Sequence, residues 1–254
     1  MNIFITNDDG YLSYGILGLA EVLAKKHRVT IVAPHNPQSG AGHALTMHKP
    51  LRIKYFPELS EKHHTKVYSC SGKPADCAKI GIDEVIKQKP DLVLSGINLG
   101  ANLGTDVIYS GTVSGALEAA MMGYRAMAVS LDDYEGKHMD TAIRFIAEFI
   151  EKYPIDTMVK DYILNINIPA VPYEDLKGIK VASLGEVKYE NDITKGVDPF
   201  GNDYYWIGGR KLIPTPGEKD VNFIKQGYVT VTPVSFMMGA EECIRLVEKK
   251  IERL

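Results

Sequence analysis

Apolar positions follow two alternating periodicities along most of the chain. Short β-prone runs are separated by segments in which apolar residues recur every three or four positions, which is typical of βαβ units with a parallel sheet. We expect strands at 2–7, 29–33, 91–95, 126–130 and 162–168, and helices at 14–26, 74–86, 116–122 and 142–150. The pattern therefore predicts an α/β fold with a mostly parallel sheet.

Two parts of the chain depart from this alternation. Residues 44–71 have the pattern of extended β segments around a polar loop at 58–64, which predicts a β insert. Further on, turn dipeptides separate short β-prone runs, and 240–254 has a helical pattern. We expect a core over 1–180 and, over 181–254, a β-rich appendage with a C-terminal helix and one core strand near 227–235.

Composition narrows the classes of function. The 254 residues are 45% hydrophobic with a formal net charge of −3, which is typical of a globular protein and argues against a broad nucleic-acid surface. No apolar stretch is long enough to span a bilayer, and the first residues lack the positive region of a signal peptide, so we expect a cytoplasmic protein. Three cysteines without a CxxC pair indicate neither a disulfide framework nor a thiolate zinc site.

The first predicted strand ends at two adjacent carboxylates, Asp8 and Asp9, which are followed by a glycine. In a parallel sheet these acids would lie at the carboxyl edge, where open α/β folds bind ligands. Carboxylate oxygens favour Mg²⁺, Mn²⁺ or Ca²⁺, although a turn with an N-cap aspartate explains the pair equally well. Ser39 and Asn98 follow two other predicted strands and would add neutral oxygens at the same edge, so the metal hypothesis gains support.

A second candidate site is the small-residue turn from Ser110 to Ser114, which includes Gly111 and Thr112. Its hydroxyls, its backbone N–H groups and the helix that follows suit a phosphate, while the simpler alternative is an ordinary helix start. A divalent ion beside an anion site is the layout of a phosphomonoesterase, in which the metal activates an attacking water. His43 is a further candidate because it is near Ser39 in sequence, with a structural histidine as the alternative.

Seven motifs, in order along the chain, resemble those of the SurE (survival protein E) family. They are Ile5–Gly10, Ala33-Pro34 with Gln38-Ser39-Gly40, Pro74–Cys77, Ser95–Asn98 with Gly100 and Asn102, Tyr109–Val113, Asn165–Pro169 and Gly227–Pro233. Lys73 departs from the threonine more usual in the family, which puts only a loop contact in doubt.

The resemblance implies a Rossmann-like core with helices on both faces of the sheet. It also implies a metal-dependent phosphatase that hydrolyses nucleoside 5′-monophosphates, and often 3′-monophosphates, with one Mg²⁺ or Mn²⁺ per subunit. By position, Asp8, Asp9, Ser39 and Asn98 would be the metal ligands, and Asp8 and Asp9 would also hold the attacking water. Asn102 and the turn from Ser110 to Ser114 would face the phosphate. A swapped appendage would build a homodimer or homotetramer.

Two other functions stay open at this point. Aspartyl-phosphate phosphatases also carry an acid after the first strand, but they use a DxD spacing, whereas Asp8 and Asp9 are adjacent. A nucleotide-binding regulatory module could use a metal only to hold phosphate. We expect a nucleoside monophosphate as substrate, with no nucleic-acid polymer as the main ligand and no membrane as a partner.

Overall fold

A nine-stranded, mostly parallel sheet lies at the centre of the structure, which is a computed structural model. It describes residues 1–190, 193–212, 217–239, 243–245, 248 and 251. The strands are β1 (Asn2–Thr6), β2 (Arg28–Pro34), β3 (Ile53–Tyr55), β4 (Lys66–Cys70), β5 (Leu92–Leu99), β6 (Ala126–Asp132), β7 (Tyr162–Pro169), β8 (Ile179–Val181), β9 (Lys188–Glu190), β10 (Ile193–Val197), β11 (Asp203–Ile207), β12 (Arg210–Leu212) and β13 (Val229–Ser235). The helices are α1 (Tyr14–Ala24), α2 (Pro57–Lys62), α3 (Pro74–Ile80), α4 (Gly111–Met121), α5 (Met139–Lys152) and α6 (Asp220–Phe223).

The order of the strands creates one switch point in the sheet. The order is β3-β4-β2-β1-β5-β6-β7-β13-β8, and the strands from β4 to β7 in this order are all parallel. From β1 the chain adds β2 and β4 on one side, and β5, β6 and β7 on the other. Open α/β sheets bind ligands outside the carboxyl ends of the strands where the order reverses, which here is between β1 and β5.

Helices cover both faces of this sheet, as expected for the fold class. On one face α1 and α5 pack over a core that includes Ile5, Ile16 and Ile146. On the other face α3 and α4 pack over a core that includes Phe4 and Val113. Successive residues of β1 point to opposite faces, so Phe4 and Ile5 enter different cores. The prediction of an α/β fold with a mostly parallel sheet and helices on both faces is confirmed.

Several element boundaries differ from the sequence-based expectation. The segment 58–64, expected to be a loop, contains α2, because Pro57 fits the first turn of a helix and Leu59 packs against the core. The strand expected to end at residue 95 continues to Leu99 through a register shift. The helix expected from residue 116 begins at Gly111, so the small-residue turn forms its first turn.

The C-terminal part combines core strands with separate hairpins. β13 pairs antiparallel with β7 and parallel with β8, so both strands extend the central sheet. β10 with β11, and β9 with β12, form two-stranded sheets outside it. Most of the predicted helix over 240–254 lies outside the described residues, and the division into 1–180 and 181–254 stays a prediction. Within the described ranges, no helix has the length and apolar content needed to cross a membrane.

Candidate active site

The turn after β1 places Asp8 and Asp9 at the switch point. The amide of Asn7 fixes this turn, because its Nδ2 donates to the carbonyl of Gly10 (3.0 Å) and to the hydroxyl of Ser13 (2.8 Å). Its Oδ1 accepts from the N–H of Gly10 (3.1 Å), which has a φ of 94°. A positive φ favours glycine, so Gly10, which follows the two acids, is the residue type that this tight turn requires.

The two carboxylates have different surroundings. Asp8 is buried, and its Oδ1 accepts a hydrogen bond from the hydroxyl of Thr112 at the start of α4. Asp9 is half-buried, and its Oδ2 accepts from the N–H of Leu99 at the end of β5 (3.1 Å). The pair is therefore connected to α4 and to β5, the strand next to β1 at the switch point.

Burial of these carboxylates disfavours their charged forms. Desolvation raises the pKa of Asp8, although hydrogen bonds from Thr112 oppose it. Desolvation and the charge of Asp8 raise the pKa of Asp9 to about 6, against the hydrogen bond from Leu99. Within the described part of the chain, neither carboxylate forms an ion pair with Lys, Arg or His. A bound cation would supply the missing positive charge.

Asn98 lies near the end of β5 and precedes Leu99, whose N–H donates to the carboxylate of Asp9. Its Nδ2 donates to the carbonyl of Gly100 (2.7 Å). An amide nitrogen that donates in this way leaves the other end of the side chain, Oδ1, as the atom able to ligate a cation. The prediction that Asn98 lies at the same edge of the sheet as the two acids therefore agrees with its place on β5.

Ser39 is exposed on the loop that follows β2. Its neighbour Gln38 donates its backbone N–H to the carbonyl of Asp8 (2.7 Å). This hydrogen bond brings the Ser39 segment to the same edge of the sheet as the two acids. Asp8 and Asp9 follow β1, Ser39 follows β2 and Asn98 lies near the end of β5, so all four residues lie at the carboxyl edge of the sheet.

The chemistry of these donors fits a hard divalent cation. Two carboxylates, an amide oxygen and a hydroxyl are oxygen ligands, which favour Mg²⁺, Mn²⁺ or Ca²⁺ over zinc or copper. Among the described residues, no group of three or more His, Cys, Asp or Glu side chains could hold a metal ion. A site built from Asp8, Asp9, Ser39 and Asn98 contains only two residues of those types, so it is compatible with that finding.

The N-cap and first turn of α4 contain the residues predicted to bind phosphate, but two of their three hydroxyl protons are donated to other groups of the protein. Ser110 is the N-cap, and its Oγ accepts from the N–H of Val113 (3.0 Å). Ser114 donates its hydroxyl proton to the carbonyl of Ser110 (2.6 Å), and Thr112 donates to Asp8. Ser110 keeps its own proton for a ligand, together with the N–H of Gly111, because the N–H of Val113 is capped by Ser110 and the backbone of Thr112 is a hydrogen-bond partner of Asp8.

Asn102 is held by the strands on the far side of β5. Its N–H donates to Oδ1 of Asn167 (2.8 Å), and its Nδ2 donates to the hydroxyl of Ser130 (2.8 Å). Its carbonyl accepts from Nδ2 of Asn165 (2.8 Å) and from Nδ2 of Asn167 (3.0 Å). The roles of Asn165 and Asn167 were not predicted, although two buried asparagines on one face of an otherwise apolar strand are a signal in the sequence.

His43 does not join the four predicted ligands through any described hydrogen bond. Its Nε2 lies 2.9 Å from Oε2 of Glu118, a buried residue on α4. Glu118 also lies 3.5 Å from the Nζ of Lys79 on α3. Sequence reasoning did not single out Glu118, because a glutamate within a helix is usually exposed.

A family model and two relatives of known name indicate the same family for this chain. The model of the family described as "Survival protein SurE" matches residues 3–191. A protein named 5′-nucleotidase SurE from Thermosipho africanus is 46% identical over 253 residues, covering 99% of this chain and 98% of the relative. A protein of the same name from Fervidobacterium nodosum is 42% identical over 252 residues, covering 98% of this chain and 96% of the relative.

A solved structure extends the similarity to the fold. The crystal structure of the SurE protein from Aquifex aeolicus matches this chain with a TM-score of 0.85 and 35% sequence identity. The match covers 98% of this chain and 99% of the Aquifex protein. Because the sequence matches and the structural match both extend over nearly the whole chain, this chain belongs to the SurE family.

Proposed function

We propose that the chain is a hydrolase that removes the phosphate from nucleoside 5′-monophosphates and depends on one divalent metal ion, Mg²⁺ or Mn²⁺, per subunit. Activity on 3′-monophosphates is part of the proposal. The relatives named 5′-nucleotidase support the reaction class. The observation that supports the metal dependence is the hydrogen bond from the N–H of Leu99, the residue after Asn98, to Asp9, one of two adjacent carboxylates at the switch point of the sheet.

Each residue of the site has a role in this proposal. Asp8, Asp9, Ser39 and Asn98 would hold the ion through their oxygens, and Thr112 would keep the carboxylate of Asp8 in place. When bound, the ion would polarise a phosphoryl oxygen and lower the pKa of a water molecule.

The substrate would be held by groups next to that ion. The positive end of α4 and the hydroxyl of Ser110 would bind the phosphate, since a helix N-terminus attracts anions. Asn102 lies on the β5 side of the site, where its backbone is fixed by β7. The phosphate would thus be oriented by this chain's own groups.

The test is phosphate release from a panel of nucleoside 5′- and 3′-monophosphates with Mg²⁺ or Mn²⁺. We expect EDTA to abolish release, and Asp8→Asn and Asp9→Asn to lose activity while circular dichroism shows an unchanged fold. Asp175→Asn is the matched control, because Asp175 is an exposed aspartate on a short 3₁₀ turn. Full activity in either site variant, or in EDTA, would contradict the proposal, and tight nucleotide binding without turnover would favour a regulatory module.

Self-association is a second part of the proposal. β10 and β11 form an antiparallel hairpin outside the central sheet, and every residue of β11 is exposed. Trp206 and Ile207 are 69% and 88% exposed, and Phe200 at the turn is 90% exposed. A two-stranded hairpin is marginal on its own, and an exposed apolar patch often marks an interface. We propose that this hairpin packs against a second copy of the chain in a homodimer or homotetramer.

A further inference from the structure

The segment that carries Ser39 has little regular structure to hold it. Residues 35–52, here called the Ser39 loop, connect β2 to β3 without a helix or a strand. Two backbone hydrogen bonds join the loop to the site, from Gln38 to the carbonyl of Asp8 (2.7 Å) and from Gly42 to the carbonyl of Tyr109 (3.0 Å). A metal ligand on a loop needs further support if its position is to be fixed.

His43 and Glu118 provide a side-chain contact between this loop and α4. The side chain of Glu118 is only 7% exposed and that of His43 is 26% exposed, and their polar atoms are 2.9 Å apart. The hydrogen bond with His43 is the main cause that lowers the pKa of Glu118, against the effect of burial, and the charge of Lys79 acts in the same direction. A buried carboxylate that keeps its charge needs such partners.

The position of Glu118 on α4 relates this contact to the metal site. Gly111, Gly115 and Glu118 are spaced at i, i+4 and i+7, so they share one face of the helix. A side chain on Gly111 would lie 2.8 Å from Cβ of Asp8, so this face is in close contact with the acid. The same helix therefore contacts Asp8 at its first turn and the Ser39 loop two turns later.

A second contact holds the far part of the loop. The N–H and the hydroxyl of Thr46 donate to the two carboxylate oxygens of Asp76 at the start of α3, at 2.9 and 2.6 Å. Lys79, which lies 3.5 Å from Glu118, is on the same helix. The loop is thus clamped at His43 and at Thr46 against the neighbouring helices α3 and α4.

We propose that His43 is a positioning residue whose contact with Glu118 holds the Ser39 loop against the metal site and so sets the affinity for the divalent cation. This inference rests on the proposed metal site. It assigns His43 a role that is distinct from direct ligation or proton transfer, because the ring nitrogen Nε2 is already engaged by Glu118.

The experiment measures Mn²⁺ binding and loop opening in the full chain. The dissociation constant is obtained from the electron paramagnetic resonance signal of free Mn²⁺, and opening from amide hydrogen exchange of the Ser39 loop without metal. We expect His43→Ala to weaken Mn²⁺ binding about 10–100-fold, as is typical when a group that orients metal ligands is removed. Exchange in the loop should rise, while kcat at saturating Mn²⁺ should change little.

Three further variants separate positioning from general destabilisation. His43→Gln retains a side-chain donor and should restore much of the affinity. His63→Ala is the matched control, because it breaks another histidine–glutamate contact, His63 to Glu21 at 2.8 Å, which joins the end of α2 to α1. The double variant His43→Ala with Glu118→Gln should bind Mn²⁺ no more weakly than His43→Ala alone, because the two residues act as one unit.

Distinct results would overturn this inference. Unchanged Mn²⁺ affinity and loop exchange in His43→Ala would exclude the positioning role. An equal loss of Mn²⁺ affinity in His63→Ala would mean that the loss comes from general destabilisation. Lost Mn²⁺ binding in His43→Ala without faster exchange in the loop would identify His43 as a direct ligand. Failure of the wild-type chain to bind Mn²⁺ would reject the proposed metal site and, with it, the effect of His43 on metal affinity. Hydrogen exchange without metal would still test whether the contact between His43 and Glu118 holds the Ser39 loop against α4.

Discussion

Thr112 donates its hydroxyl proton to the Oδ1 atom of Asp8, which joins the first turn of α4 to the end of β1. Thr112 was predicted as a phosphate contact, but its side chain is fully buried and its proton is used within the protein. A group that hydrogen-bonds a metal-ligating carboxylate fixes the orientation of that ligand. In the proposed metal site, Thr112 would therefore be a determinant of metal binding.

Thr112→Val should lower Mn²⁺ affinity and kcat/KM by about 10–100-fold, because Asp8 loses its hydroxyl donor while the shape of the side chain is kept. Thr112→Ser is the matched control, since it restores the hydroxyl and should retain most of the activity. Titration with Mn²⁺ and assays of phosphate release check both variants. Equal activity in the valine and serine variants would show that this hydrogen bond does not affect the site.

Gly111→Ala tests the close approach of α4 to Asp8. The new Cβ would lie 2.8 Å from Cβ and 2.9 Å from Oδ2 of Asp8, and 3.1 Å from Cγ of Pro74. Because these distances are too short, we expect Asp8 to be displaced and both metal affinity and activity to fall by at least about 10-fold. Gly208→Ala is the control, because no described atom lies within 4 Å of its new Cβ, and it should retain full activity.

Ser110→Ala and Ser114→Ala should differ in their effect on substrate binding. In the proposed site Ser110 would keep its proton for the phosphate, whereas Ser114 donates its proton to the carbonyl of Ser110. We expect Ser110→Ala to raise KM several-fold and to lower the free energy of unfolding by about 1 kcal/mol, because the N-cap is lost. Ser114→Ala should leave KM nearly unchanged. Steady-state kinetics and urea unfolding distinguish them, and an equal rise in KM would contradict this assignment.

The sequence predicted the elements that place the site, because local patterns determine them. The apolar run of β1 followed by Asp8 and Asp9 indicated both a buried strand and the sheet edge at which it ends. The hydrogen bond between Thr112 and Asp8 could not be predicted in the same way, because it joins residues 104 positions apart. The contact between His43 and Glu118 spans 75 positions, and no local periodicity marks either residue.

The predicted start of α4 and the predicted end of β5 were wrong because tertiary contacts determine both boundaries. Small residues such as Gly111 have weak helix propensity, so the pattern suggested a turn where the packing of α4 against β1 and α3 forms a helix. Leu99 was assigned to a glycine-rich loop, but pairing with Leu131 on β6 keeps it in the sheet. In both places tertiary contacts outweigh the local preference.

Glu118 should make stability depend on pH in the acid range. Its pKa is lowered from 4.5 in the folded chain, first by the hydrogen bond with His43. Glu118 therefore binds a proton more tightly in the unfolded chain than in the folded chain. The contribution of ionised Glu118 to stability is complete above its pKa in the unfolded chain, and it is lost as pH falls through its pKa in the folded chain. We expect the difference in free energy of unfolding between wild type and Glu118→Gln to shrink as pH is lowered below about 4.5.

Urea unfolding at a series of pH values measures this difference. Glu218→Gln is the control for Glu118→Gln, because it makes the same change at an exposed glutamate. A difference that stays constant from about pH 7 to about pH 3 would mean that ionised Glu118 does not stabilise the folded chain.

The exposed hairpin of β10 and β11 should determine the assembly state. Ile207→Lys and Trp206→Lys each place a charge on a different face of the hairpin, because successive residues of a strand point to opposite faces. A buried unpaired charge strongly opposes association. We expect light scattering at micromolar concentration to show an oligomer for wild type and a smaller species for the variant whose charge lies on the face that packs against the second copy. Val159→Lys is the control, because Val159 is 50% exposed and lies just before β7 rather than on the hairpin. A monomeric wild-type chain would exclude the proposed assembly, and unchanged oligomers in both hairpin variants would place the interface elsewhere.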